Sequence, residues 1–417
     1  MTSIKGALLG ATAGLAMAGG AAAADLPMGK AEPVEYVRVC SDDGTGFYYV
    51  PGTDTCLKIG GYVRVEGRYA EPATRNANAI TVFNRAVVNF DARTNTELGV
   101  LRSYTALRFE TANATTAVLV ERAFIEFAGI TAGHQLSMIQ PFTGPMFGNQ
   151  RFFDDPIPAN GNSPYTDMLA YTARFDGGVS ATLGIEDGLN RRGVNSSAPV
   201  LPNLNGGVSG FGGQTLPDVV ANLRVTQGWG TAQIGGAVHQ IRAADPRVDT
   251  DYGFAVEAGA DIKLDDYLTK GSKFQVLGVY TSGAPAYANV AGRTSTFGVN
   301  VDVADAAIVG TDIKKTEAWG VGGSFTYFWV PGTWRSNVEG TYVSVNQSSA
   351  LTGTGNFRNF REYTLGLNTI WSPVANLDIG GEIFYRNIDY SGTITALGQT
   401  YSENDAWSGR IRIQRTF

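Results

Sequence analysis

Charge, cysteine, histidine and long apolar runs are all scarce in this chain. Charged residues make up 17% of its 417 residues, against about 25% in ordinary soluble domains. Lys and Arg number 32 against 38 Asp and Glu, for a formal net charge of −6, so the basic excess of a nucleic-acid binder is missing and no nucleic-acid partner is expected. No run of ~20 apolar residues occurs beyond the N-terminal segment, which excludes helical membrane spans there. Gly-x-Ser-x-Gly, the phosphate-binding loop and His-Glu-x-x-His are all absent. The two histidines, His134 and His239, lie on separate predicted strands, so an enzyme is not expected. A Ser–His hydrolase carried on a barrel is the catalytic alternative. Low charge does not mean disorder, because 18 Tyr, 21 Phe and 6 Trp supply ample apolar bulk.

What the chain has in abundance is glycine, 53 residues, with 43% hydrophobic residues and a mean hydropathy of −0.07. Its length alone suggests two or three globular domains, yet the same composition fits one large β-barrel. Residues 1–24 read as a signal peptide. Lys5 forms the basic region, an apolar stretch of small residues and leucine follows, and Ala21-Ala22-Ala23-Ala24 precedes Asp25 as a cleavage site. Residues 25–55 form an N-terminal segment on the periplasmic side. Cys40 and Cys56 flank turn-rich sequence around a short strand at 47–50. Export permits a Cys40–Cys56 bridge there. Free buried thiols are the alternative, and a metal pair would lack ligands, so no metal or cofactor is expected.

The remainder, 56–417, alternates with period two. Leu57, Ile59, Val63, Val65 and Tyr69 oppose Lys58, Arg64, Glu66 and Arg68; Trp407, Ile411 and Ile413 oppose Ser408, Arg410, Arg412 and Gln414. Such alternation marks strands with one apolar and one polar face. Sixteen segments are predicted: 56–69, 82–95, 99–110, 117–128, 132–139, 167–176, 178–186, 219–228, 230–240, 252–264, 273–282, 317–329, 334–346, 360–371, 376–390 and 405–417. Most are long enough to cross a bilayer at a tilt, for which about 9–11 residues suffice. Short turns alternate with long connections near 70–81, 140–166, 187–218, 241–251, 283–316, 347–359 and 391–404, the pattern of an outer-membrane antiparallel barrel. Hydrocarbon tolerates no unpaired backbone groups, so such a sheet must close on itself. Trp229, Trp329, Trp334 and Trp371 fall beside short turns and should form the periplasmic girdle. The long segments 187–218 and 283–316 are expected to face outside, flexible and near lipopolysaccharide.

The run from Lys30 through Cys40, then Pro51-Gly52-Thr53-Asp54-Thr55-Cys56-Leu57-Lys58-Ile59-Gly60-Gly61-Tyr62-Val63-Arg64, resembles the opening of the alphaproteobacterial porins of Brucella and rhizobia. Phe417, on an alternating strand, resembles the C-terminal signal read by the barrel assembly machinery. The resemblance implies a sixteen-stranded, homotrimeric general-diffusion porin whose third loop folds inward and which passes small hydrophilic solutes. A substrate-selective channel with a binding site in the pore is the alternative. The third loop, about 140–166, is rich in Phe and Pro and carries Asp154 and Asp155, with Asp167 at its exit. It lacks the acidic-glycine motif of enterobacterial porins and reads Pro141-Phe142-Thr143-Gly144-Pro145-Met146-Phe147-Gly148 instead. By parity Arg64, Arg85, Arg102, Arg108 and Arg122 share the polar face of the first strands. An acidic lip facing this basic wall would set a transverse field across the pore. The competing reading is that these arginines only pair with Glu66, Asp91, Glu110 and Glu126 to hold the wall.

Overall fold

The computed structural model describes residues 38–112, 115–147, 165–195, 198–199, 201–205, 207–290, 292–296, 298–352, 354–396 and 398–417. The predicted signal peptide and residues 25–37 lie outside these residues. So do Asp154 and Asp155.

All sixteen predicted strands are present. They are β1 (Cys56–Ala70), β2 (Ile80–Thr96), β3 (Gly99–Ala112), β4 (Thr115–Phe127), β5 (Ile130–Leu136) and β6 (Tyr165–Arg174). Then come β7 (Val179–Glu186), β8 (Asp218–Gln227), β9 (Gly230–Ile241), β10 (Asp251–Lys263) and β11 (Lys273–Ser282). The last are β12 (Glu317–Val330), β13 (Trp334–Asn346), β14 (Phe360–Val374), β15 (Leu377–Ala396) and β16 (Gln399–Thr416). Each pairs antiparallel with the next, and β16 returns to pair with β1 from Tyr62↔Thr416 to Ala70↔Ser408. The ring therefore has no free edge, as a sheet in hydrocarbon requires. Phe417 completes the seam, since its N–H donates to Gly61 O and its carbonyl accepts from Gly61 N–H, each at 3.0 Å.

The two faces separate as the alternation demands. On β14, Tyr363, Leu365, Leu367 and Trp371 are exposed, whereas Glu362, Thr364 and Asn368 are buried. The exposed apolar set is the membrane face, so the opposite parity lines the interior. Trp229, Trp329, Trp334 and Trp371 are all exposed at the short-turn end. Ahead of the barrel, Cys40 and Cys56 are bonded. Tyr48–Tyr49 pairs with the start of β1, and Phe47 packs on the disulfide.

Two expectations about the connections fail. The segment 391–404 is not a loop, because β15 runs to Ala396, β16 begins at Gln399, and the pairing extends to Ala396↔Gln399. Nor is 283–316 a flexible segment. It holds a 3-10 turn (Pro285–Ala288) and two hairpins, Gly292–Thr296 with Val299–Val303 and Ala306–Val309 with Asp312–Lys315. Leu201, from the 187–218 connection, is buried in a cluster with Ile241, Val248 and Ile308. The glycines of these loops had suggested mobility, but valine, isoleucine and alanine between them supply a core.

Candidate functional site

The strand β5 is short, and the chain leaves it at Leu136 to enter the barrel. Polar groups of the inner wall then hold the loop backbone almost residue by residue. Glu186 at the end of β7 accepts from Ser137 Oγ at 2.8 and 3.0 Å and from Met138 N at 2.8 Å. Gln233 of β9 donates to Ile139 O at 2.8 Å, and Arg224 of β8 donates to Pro141 O. Gln275 of β11 reaches Thr143 O at 3.3 Å, and Asn368 of β14 reaches Pro145 O at 3.2 Å. At the far side, Phe147 N donates to Glu382 Oε2 of β15 at 2.6 Å. Phe147 O accepts from Arg410 at 2.9 Å and Arg412 at 2.5 Å, both on β16. Ten extended residues reach roughly 33 Å, enough to carry residues 138–147 from β8 to β16. The described arm of the third loop thus runs inside the lumen.

Glycines of the wall make room for its side chains. A Cβ at Gly235 would stand 3.1 Å from Ile139, at Gly259 3.0 Å from Phe142, at Gly366 3.1 Å from Met146 and at Gly380 2.7 Å from Phe147. Each inward glycine is a seat for one apolar loop residue. The backbone bonds and the seats act together, because buried peptide groups need partners and buried rings need matching space.

Between this arm and the opposite wall lies a gap of about 310 Å³ lined by Tyr62, Arg64, Glu121, Arg122, Leu136, Thr143, Gly144, Met146, Tyr165 and Arg412. Three guanidiniums and one carboxylate meet there. Arg64 Nε donates to Gln414 at 2.9 Å, and Arg122 donates to Tyr165 Oη at 2.7 Å. A bulge explains how Glu121 and Arg122 both turn to the gap. Ala106 pairs with Arg122 and Leu107 with Val120, leaving Glu121 as the extra residue.

The other predicted arginines sit elsewhere on the same wall. Arg85 and Arg108 share Glu110 at 2.6 and 3.2 Å, and both are buried. Arg102 bridges Asp91 and Glu126 at 2.9 and 2.8 Å, beside a separate cavity with Arg93 and Arg174. The wall-holding pairs named in the competing reading are therefore all present. Asp167 is not brought to the arginines: it shares the face of exposed Leu169 and Tyr171, and its carboxylate lies 2.9 Å from His134 Nδ1.

Sequence reasoning missed Arg410, Arg412, Glu382 and Glu186. All four stand on the polar parity of their strands, so the signal was there. Glu66, 0% exposed, lies at the centre of the missed group, 2.6 Å from Arg68 and 2.5 Å from Arg412.

Comparisons with known proteins place this geometry. A family profile described as the porin subfamily matches residues 25–410. Porin Omp2b of Brucella suis biovar 1 (strain 1330) is 27% identical over 432 aligned positions, covering 100% of both chains. Among solved structures, the outer membrane channel DcaP of Acinetobacter baumannii superimposes with a TM-score of 0.67 at 14% identity, covering 88% of this chain and 99% of that one. OmpT of Vibrio cholerae, in a trimer form, gives 0.51 at 11% identity over 88% of this chain and 100% of its own.

Proposed function

The chain belongs to the porin subfamily, and we propose that solutes cross its barrel through the gap between residues 143–146 and the arginine-bearing wall. The protein is an outer-membrane porin, a channel for passive diffusion. The observation that carries the finer reading is the meeting of Arg64, Arg122 and Arg412 with a loop arm pinned to the other wall by Gln233, Gln275 and Asn368. Arg85, Arg102 and Arg108 hold that wall and add positive potential behind it. Asp154 and Asp155, in the same loop, form the acidic lip that completes a transverse field. Small hydrophilic solutes pass, and their dipoles align with that field, because charge arranged along a narrow wall selects among ions.

Reversal potential in a salt gradient across a planar bilayer tests this. Asp154→Asn with Asp155→Asn should shift it toward anions; an unchanged value removes the acidic lip. The chain assembles as a homotrimer in this reading, with stepwise closure of three conductance levels as its signature. Residues 1–24 are removed on export, 25–55 stay on the periplasmic side, and Phe417 is read during barrel assembly. Mass spectrometry of the mature N-terminus checks the first of these.

A further inference from the structure

The inner wall of β8–β15 is apolar toward its long-loop end, which is odd for a surface lining water. Leu277 and Val279 of β11, Ala318 of β12, Val343 and Val345 of β13, Phe360 of β14 and Ile388 of β15 are buried. Their neighbours of opposite parity, among them Val276, Trp319, Tyr363 and Ile383, are the exposed ones. The buried set therefore points into the barrel. What covers it is the connection between β11 and β12. Ala288, Val290, Val299, Val301 and Val303 join the same cluster, each 0–1% exposed, and Phe142 of the third loop packs against it. Tyr287 packs with Ile139, Val220, Ala237 and Ala255 in the adjoining cluster.

Polar contacts pin both ends of this connection to the rim. Tyr287 Oη donates to Asp218 Oδ2 at 2.8 Å. His239 Nδ1 lies 2.8 Å from Asp218 and its Nε2 lies 3.4 Å from Asp305. Asp305 Oδ1 accepts from Gly193 N at 3.0 Å. Gln347 accepts from Ala304 N and donates to Asp302 O.

We infer that the β11–β12 connection is a second inward-folded loop that fills the outer lumen along β8–β15 and confines solutes to the β16–β4 side, where the arginines stand. This rests on the channel reading above and makes Val299, Val301 and Val303 determinants of the size limit without touching the narrow gap.

Ser282 and Glu317 are direct cross-strand partners, so a short Gly-Ser linker can replace residues 290–315 without stretching the barrel. The excised channel should conduct roughly twofold more per pore, as a wider lumen requires, and in liposome swelling should admit sugars that the parent excludes. A folded excised barrel with unchanged conductance and size limit overturns the inference. In the full chain, Val301→Cys should resist a charged, water-soluble thiol reagent that modifies Thr143→Cys at the gap. Rapid modification of Val301→Cys with a fall in conductance would also overturn it, and this arm stands if the excised chain does not fold. A parent chain that passes no ions would instead remove the channel reading itself.

Discussion

The two halves of the lumen are built on opposite principles. From β16 to β4 the interior carries arginines interleaved with carboxylates, and three guanidiniums line the gap. From β8 to β15 glycines, amides and aliphatic side chains stand among buried carboxylates such as Glu257, Glu339, Glu362 and Glu382, and loop segments cover it. One half meets the solute, and the other serves as a foundation. Alternation gives both halves a non-lipid face; what differs is that guanidiniums crowd the open half, whereas the covered half presents aliphatic side chains to its loops. Buried guanidiniums must keep partners, so the charged wall cannot be roofed over cheaply. A wall of amides, glycines and a few charged groups accepts a loop backbone as its partner.

The largest effect should come where the two halves are tied together. Arg412→Ala removes a hydrogen bond to Phe147 O and leaves Glu66 short of a partner 2.5 Å away. Breaking a buried pair in this way costs about 3 kcal/mol, seen as a lower thermal midpoint of the folded barrel on gels; an unchanged midpoint would show that Arg68 and Arg410 suffice. Next comes a pair of adjacent glycines. A Cβ at Gly380 would stand 2.7 Å from both the Phe147 ring and Thr369 O, whereas one at Gly381 meets open space. Gly380→Leu should destabilise by about 1–3 kcal/mol through overpacking and raise single-channel conductance as the arm is displaced. Gly381→Leu should leave conductance alone. Equal effects of the two would break the idea of a seat.

On the open half, Arg64→Gln with Arg122→Gln should move the anion/cation permeability ratio toward cations by roughly threefold, since wall charge sets selectivity. Arg85→Gln with Glu110→Gln, a neutral exchange of a buried pair, should move it far less. The smallest effect belongs to the covered half. Hydrogen bonds from the Arg247 side chain and N–H hold the Asp245 carboxyl down to about 2, and Asn203 also donates to it at 3.2 Å. A depressed carboxyl stabilises above the unfolded value, about 3.9, and loses that contribution as pH falls toward 2. Acid-protease cleavage near 245–247 should rise between pH 4 and about 2, and Asp245→Asn should be cleaved alike at both.

The sixteen strands were legible because period two is a property of the backbone and survives any packing. Turn ends erred where pairing continued past the polar residues, as in β15 and β16. Much less of the site could be read. Parity puts Arg64 and Arg122 on the polar face, and both line the gap; the same parity, applied to Asp167 with Leu169 and Tyr171, already separates it from them. Arg410 and Arg412 show the same alternation, but nothing local tells that a peptide more than two hundred residues away will lie across them. Val299-Asn300-Val301-Asp302-Val303 alternates like a membrane strand but is too short to cross a bilayer. Its partner is the inner wall from β11 to β15, a surface that exists only once those strands are paired.

That closure has a consequence for the order of events. Arg64 and Gln414, bonded at the seam, stand 350 positions apart. Contacts of such separation form late, because the intervening chain must be organised first. Until β16 arrives, β1 presents a bare edge of N–H and C=O groups, the kind that invites pairing with any passing strand. The first strand to be laid down therefore waits longest for its second neighbour. Whatever shields it in the interval governs whether a pore or an aggregate results.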